Sequence, residues 1–360
     1  MRFNGIKTLS GNKGMALIIT LMVVALLTVA VVELNRRIRT TVGSAALFRD
    51  RIILSQMVSS GINIGQAVLI ADRNDNDIDS IQEDWADPSF LEEIVGEFPF
   101  ENGLIRLVID DLRGKMQVNA LVQYPGGREF NENQRLLWFR FFELVNVSQA
   151  MESDVKPVSI INAVKDWIDY GDDDAVTGLD GAESDYYRDL TPPYACHNGP
   201  IVDISEMALI KGISPDVFFS PEAAYALGTC VTTFCRTEAA GGKGFVFDGR
   251  ININTAPLFV LTALLPLEDA HLGAELDAYR TEMSDDNYVH DLSRTGWYKD
   301  VPGCENLSIN EELITNKSDF FEITVTALLN NVQMTRTAAV RRLKDTDTGK
   351  IVCQVLSYYE

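Results

Sequence analysis

Between positions 166 and 185 the chain places eight carboxylates in twenty residues: Asp166, Asp169, Asp172, Asp173, Asp174, Asp180, Glu183 and Asp185. Like charges packed this closely repel one another unless a cation or water separates them. The stretch contains no histidine, and an all-oxygen donor set suits a hard cation, calcium before magnesium. The spacing is not that of an EF-hand, whose alternating aspartates, central Gly and closing Glu are absent. A solvated acidic loop is the plain alternative. Metal-assisted or two-carboxylate hydrolysis is the catalytic one.

The other reactive side chains form no constellation. His197, His271 and His290 are scattered, and no Ser/His/Asp set emerges. The five cysteines are Cys196, Cys230, Cys235, Cys304 and Cys353; none sits in a CxxC pair, so a zinc site is not indicated. Cys230 and Cys235 are close enough to close a small disulfide loop, and the odd count leaves a thiol free or paired between chains. Gly241-Gly242-Lys243-Gly244 lacks the strand and helix that frame a phosphate-binding loop. Hairpins near Ile210–Ser214 and Asn252–Ala256 resemble those that bind DNA backbones, but their surroundings are acidic and carry no basic stripe. They read as packing hairpins, with Asn252 and Asn254 hydrogen-bonding loop backbone. A net charge of −21 repels nucleic acid and anionic lipid surfaces, so no nucleic-acid partner is expected. Hydrophobic residues at 46% are ample for a packed core.

The element that carries all this is an apolar run, Met15 to Val32, in which only Thr20 and Thr28 are polar. As a helix it just spans a bilayer core of roughly 30 Å. Arg2, Lys7 and Lys13 precede it, which keeps the leader cytoplasmic and sends the remainder across. A secretory signal peptide, with Thr28-Val29-Ala30 as a weak cleavage site, and a plain signal anchor are two readings. The third rests on Gly14, directly before the run. This resembles the class III signal of type IV pilins and pseudopilins, cut after the glycine by a prepilin peptidase. The resemblance makes Gly14 and Met15 the processing residues, with Met15 the new, N-methylated first residue. Loss of the three basic leader side chains then takes the net charge to about −24. The fifth mature residue is Ile19, where such pilins usually carry Glu. In the family that Glu neutralises the N-terminal amine of a neighbouring subunit. A subunit lacking it suits the first position in the filament, and among pseudopilins the absence is characteristic of the K type.

Beyond the run, Ile38, Val42, Ala45, Ile52, Met57, Ile64 and Val68 recur near helical periodicity, and no proline occurs before Pro88. One long helix to about Ala71 is predicted, with Gly43, Gly61 and Gly65 as bending points. Leu104–Asp110 and Lys115–Asn119 read as strands around the turn Asp111-Leu112-Arg113-Gly114. Phe320–Leu329, Val332–Leu343 and Lys350–Tyr359 read as a meander, turned by Asn330-Asn331 and by Asp345–Gly349. The middle has helical runs at Asn133–Val145, Ile204–Lys211 and Ala256–Leu265.

An ordered series of motifs joins these elements. Asp166-Trp167-Ile168-Asp169 is followed by Gly181-Ala182-Glu183, Tyr186-Tyr187, Pro192-Pro193-Tyr194, Ile204-Ser205-Glu206-Met207, Ile210-Lys211-Gly212-Ile213 and Ile251-Asn252-Ile253-Asn254-Thr255-Ala256-Pro257. The series is similar to the general secretion pathway protein K family, the K-type minor pseudopilins of type II secretion, over nearly the whole chain. The resemblance implies an α+β fold: a pilin-like long N-terminal helix and small antiparallel sheet, with a large, mostly α-helical insertion. Its divisions would be a leader at 1–14, a transmembrane segment at 15–33, spine helix and first strands at 34–120, the insertion at 121–305, and closing strands at 306–360. It implies a non-enzymatic inner-membrane protein, single-pass, with its soluble part in the periplasm, initiating and capping the pseudopilus tip. The implied partners are the I-type and J-type minor pseudopilins, the other pseudopilins and the prepilin peptidase. A tip minor pilin of a type IV pilus, for adhesion or DNA uptake, is the alternative. Family members bind calcium in the acidic region, which implies ligands at Asp169, Asp172, Asp174, Glu183 and Asp185. Asp173 and Asp180 are less placed, because Gly171 and the three successive aspartates leave the register open.

Overall fold

The computed structural model describes residues 12–98, 100, 103–147, 156–171, 176–214, 227–239 and 241–359. Helix α1 runs without interruption over Asn12–Asp75, 64 residues, or about 96 Å at 1.5 Å per residue. Its apolar window near the N-terminus is wholly exposed. The exposed stretch continues through Ile38, Val42 and Phe48. Burial begins at Asp50 and involves Leu54, Met57, Val58, Ile62, Val68 and Leu69. Only the second half of α1 packs within this chain.

It packs on a four-stranded antiparallel sheet in the order β1-β2-β3-β4, formed by Gly103–Asp111, Phe320–Leu329, Val332–Lys344 and Ile351–Tyr359. Strand β2 buries Phe321, Ile323, Val325 and Ala327 against the helix. Thr324 and Thr326 occupy the other face and meet Thr337 and Thr335 of β3 at 3.1 and 3.0 Å. Asn330 and Asn331 turn the chain with φ of 48° and 66°, the left-handed pair that a two-residue hairpin requires. The glycines of α1 do something other than bend it. A Cβ on Gly61 would lie 2.6 Å from Val325 Cγ1, and one on Gly65 2.9 Å from Ile323 Cγ2. Helix and strand approach closely because those positions have no side chain. Helix α2, Pro88–Gly96, closes the same core with Leu91 and Val95.

The segment Lys115–Asn119 is not the hairpin partner of β1. Asp111 caps a tight turn by accepting from Arg113 N at 2.7 Å. Met116–Gln117 then pairs in parallel with Val231–Thr232, and Val118–Leu121 winds into a 3-10 turn. The place beside β1 belongs to β2, brought back from two hundred residues downstream.

Between β1 and β2 lies a second, larger core that collects residues from Met116 to Ile314. Helix α3, Glu132–Val147, contributes Leu137, Trp138, Phe141, Phe142 and Val145; helix α4, Pro157–Ile168, contributes Ile160, Ile161, Val164, Trp167 and Ile168. Ile204–Leu209 is a 3-10 helix, and Leu258–Ala263 is helical. The two cores meet at a buried polar seam. Asn252 Nδ2 donates to Asp79 O at 2.9 Å and to Asp111 Oδ2 at 2.8 Å, and Asn254 Nδ2 donates to Asp79 O at 3.3 Å. Both asparagines are fully buried. They bond loop backbone, but across the boundary between the units as well as locally.

Candidate functional site

Helix α4 starts at Pro157, which suits a first helical turn, and ends where Asp169 turns extended. Asp166 lies on its last turn, 1% exposed. Its carboxylate accepts from Thr177 N at 3.1 Å and from Ala182 N at 2.8 Å, folding the acidic loop back onto the helix. A Cβ on Gly181 would sit 2.1 Å from Asp166 Oδ2, so only glycine fits there. Cys196 donates from N to Ser184 Oγ at 3.1 Å and from Sγ to Asp166 O at 3.3 Å. Burial pushes that thiol up to about 12. Trp167 packs edge-on to Tyr187 at 5.0 Å beneath the loop. Asp166 therefore serves the loop's backbone.

The proposed ligands fall into three groups. Asp169 and Glu183 are buried, at 8% and 6% exposure, at the two ends of the loop. Lys165 Nζ stands 2.5 Å from Asp169 Oδ2. Asp185 begins helix α5, Ser184–Arg188; its side chain is 97% exposed and meets Arg188 at 3.2 Å. Asp172, Asp173 and Asp174 lie outside the described residues. Asp180 is exposed, and its carbonyl accepts from Lys211 Nζ at 3.1 Å. Two buried carboxylates flanking a loop rich in further aspartates, with one lysine against one of them, are a donor set that fits a hard divalent cation.

Gly14 and Met15 lie near the start of α1, where nothing approaches within 4 Å of a Cβ on Gly14 and Met15 is 62% exposed. Cys230 and Cys235 are both free thiols, which corrects the possible pairing. The reason is packing. Cys230 belongs to the large insertion core, whereas Cys235 sits with Leu112, Phe320 and Ala339 under the sheet.

One charged cluster is not evident from motif reading. Asp72, Asp79 and Glu83 offer carboxylate oxygens within 4.8 Å of one another at the end of α1. Arg342 fills the centre: it meets Asp72 at 2.7 Å, bonds Asp79, and donates to Leu69 O at 3.0 Å. The sequence does hold a signal. Period-two alternation puts Arg342 on the core face of β3 with Ala338 and Val340, and an inward arginine demands acidic partners. Burial, then the Glu83 charge, pushes Asp72 up to about 6.

Residues 114–220 match the family model described as Type II secretion system (T2SS), protein K. Curated relatives named type II secretion system protein K are 25% identical over 300 residues in Pseudomonas aeruginosa, 79% of this chain and 78% of that protein. In Pectobacterium carotovorum subsp. carotovorum the figure is 27% over 219 residues, 58% of this chain and 61% of that protein. In Aeromonas hydrophila it is 24% over 216 residues, 57% and 60%. The match thus spans about three fifths of two of these relatives. The fold is similar to a chain in the crystal structure of the GspK-GspI-GspJ complex from the enterotoxigenic Escherichia coli type 2 secretion system. The TM-score is 0.57 at 19% identity, over 87% of this chain and 98% of that one. With the family model on the acidic-loop unit and every one of these relatives carrying the same name, the chain belongs to the type II secretion system protein K family.

Proposed function

We propose that this protein is the minor pseudopilin at the tip of the type II secretion pseudopilus, a structural rather than catalytic component. One observation carries the reading: the large helical unit is fastened to the distal end of the spine. Asp79 follows α1 directly, and Asn252, Asn254 and Arg280 reach it and its neighbour Gln82 from the insertion. A helix anchored at its N-terminal end with a bulky unit at the other leaves no room for a subunit above. The exposed apolar side chains from Ile38 to Ile52 are what a neighbouring spine would cover below. The partners suited to that position are the I-type and J-type pseudopilins, as in the titled complex of the structural neighbour. The prepilin peptidase would cut after Gly14, keeping the apolar segment as an inner-membrane anchor with the remainder periplasmic. Ile19 agrees with first entry, since an unpaired buried Glu would be costly there. Calcium, held by Asp169 and Glu183 with Asp172, Asp174 and Asp185 as further donors, would supply charge neutralisation and hold the loop.

The test is processing together with position. Gly14→Leu should leave an uncut precursor that does not assemble. Tip-only labelling in single copies is expected of the native chain, and many copies along the shaft would contradict the reading.

A further inference from the structure

The three fully buried arginines of this acidic chain are neutralised: Arg113 by Asp248 at 2.7 Å, Arg280 by Asp277 at 2.6 Å and Arg342 by Asp72 at 2.7 Å. Arg236 and Arg341 are not; neither forms an ion pair among the described residues. Both are held in place by aromatic rings. Arg236 lies 4.6 Å over Phe245, and Arg341 lies 5.3 Å over Phe320. Ring stacking fixes the guanidinium plane and leaves its edge free for an acceptor. Arg341 Nε is enclosed and has no hydrogen-bond partner, a cost that a bound oxygen would remove.

The same two arginines line two adjoining clefts. One, about 450 Å³, is polar and is walled by Thr237, Glu238 and the backbone of Gly242 and Gly244. The other, about 330 Å³, is walled by Phe234, Phe247, Val202 and Leu356. Val202 is 78% exposed and Leu356 41%, a large apolar exposure beside two unpaired cations. Lys243 is exposed between the two glycines. With Arg236, Arg341 and Lys243 against Glu238, the site is net positive on a chain of −21. Strand β4 borders it, since Gln354 pairs with Arg341, and β4 is an edge of the sheet. A free edge accepts an extended backbone.

We propose that this cleft binds an extended acidic segment of a partner protein, with a carboxylate on Arg236 and Arg341 and an apolar side chain between Val202 and Leu356. A free anion would use the first half and leave the apolar half uncovered, so the chemistry favours a peptide. The proposal stands apart from the tip assignment, because any partner with such a segment satisfies it.

The test uses the full chain in detergent and a fluorescein-labelled hexapeptide of alternating valine and glutamate. Its glutamine counterpart and inorganic phosphate are the controls. The glutamate peptide should bind about ten-fold tighter than the glutamine peptide. Arg236→Gln and Arg341→Gln should each remove that preference. Arg236 is exposed, so its variant should keep the native melting temperature even if that of Arg341 does not. Equal binding of the two peptides, no binding at millimolar concentration, or a preference untouched by Arg236→Gln would overturn the proposal. Complete displacement of the peptide by millimolar phosphate would also overturn it, in favour of a free-anion pocket.

Discussion

Gly43 and Gly61 lie on the same helix and answer opposite demands. Nothing approaches a Cβ at Gly43 within 4 Å, whereas at Gly61 it would collide with Val325 at 2.6 Å. Gly43→Ala should therefore stabilise the helix by up to about 1 kcal/mol, the propensity gap between the two residues. Gly61→Val should destabilise by roughly 1–3 kcal/mol, because overpacking outweighs that gain. Denaturant melts of the two variants should move in opposite directions; movement of both the same way would contradict the close approach. Asp72 is the second residue-scale case. Its folded value, about 6, lies above the ordinary 3.8, so the folded state holds the proton more tightly. The contribution is present in full below about pH 4 and is lost as the pH rises through 6. A shift of about two units corresponds to about 2 kcal/mol after allowance for solvent. Asp72→Asn keeps the shape and removes the titration, so its stability should fall less than that of the native chain between pH 5 and pH 7.5. Parallel pH profiles for the two proteins would show that Asp72 is not the titrating group.

At the scale of elements, the acidic loop is held at two levels. Asp166 ties its backbone to α4, and the remaining carboxylates are left to repel or to share a cation. Micromolar to millimolar calcium should raise the melting temperature of the helical unit, because the ion binds the folded loop alone. Asp169→Ala combined with Glu183→Ala should abolish that rise while the sheet stays folded. The check is a melt with chelator, then with excess calcium or magnesium; no change in any of the three, with no ion found by calorimetry, would leave a solvated loop. The strands of the C-terminal meander were legible in the sequence because alternation and the Asn330-Asn331 turn are local signals. The partner of β1 was not, since pairing Gly103 with Leu329 is fixed by a distant packing face and not by the adjoining turn. The loop was legible as charge. Which of its acids turn inward was not, because Asp169 and Asp185 look alike until α4 and α5 bury one and expose the other.

The whole molecule is two apolar cores joined by a polar seam rather than by shared hydrophobic surface. Asp79, Asn252 and Asn254 are fully buried and Arg342 is 1% exposed, and each bonds across the boundary or supports a residue that does. Arg342 anchors Asp79 from the sheet side, while Asn252 serves Asp79 O and Asp111 Oδ2 from the insertion. Trp297 Nε1 donates to Asn254 Oδ1 at 2.8 Å, which carries the network into the larger core. Such a seam transmits stability only while it is satisfied. Asn252→Leu keeps the volume but takes the donor away from a buried carboxylate and a carbonyl, a loss of about 1–3 kcal/mol for each group left unpaired. Each core remains intact, so the variant should fold, yet the units should no longer melt together. Calorimetry of the native chain is expected to give overlapping transitions that move as one, and the Asn252→Leu chain two resolved transitions, with the helical unit melting first. Detachment at this seam should also weaken secretion without changing processing at Gly14, since the anchor and the leader lie at the far end of α1. A single transition shifted by less than a degree, with secretion unchanged, would mean that the covalent links at β1 and β2 hold the bulky unit in place by themselves.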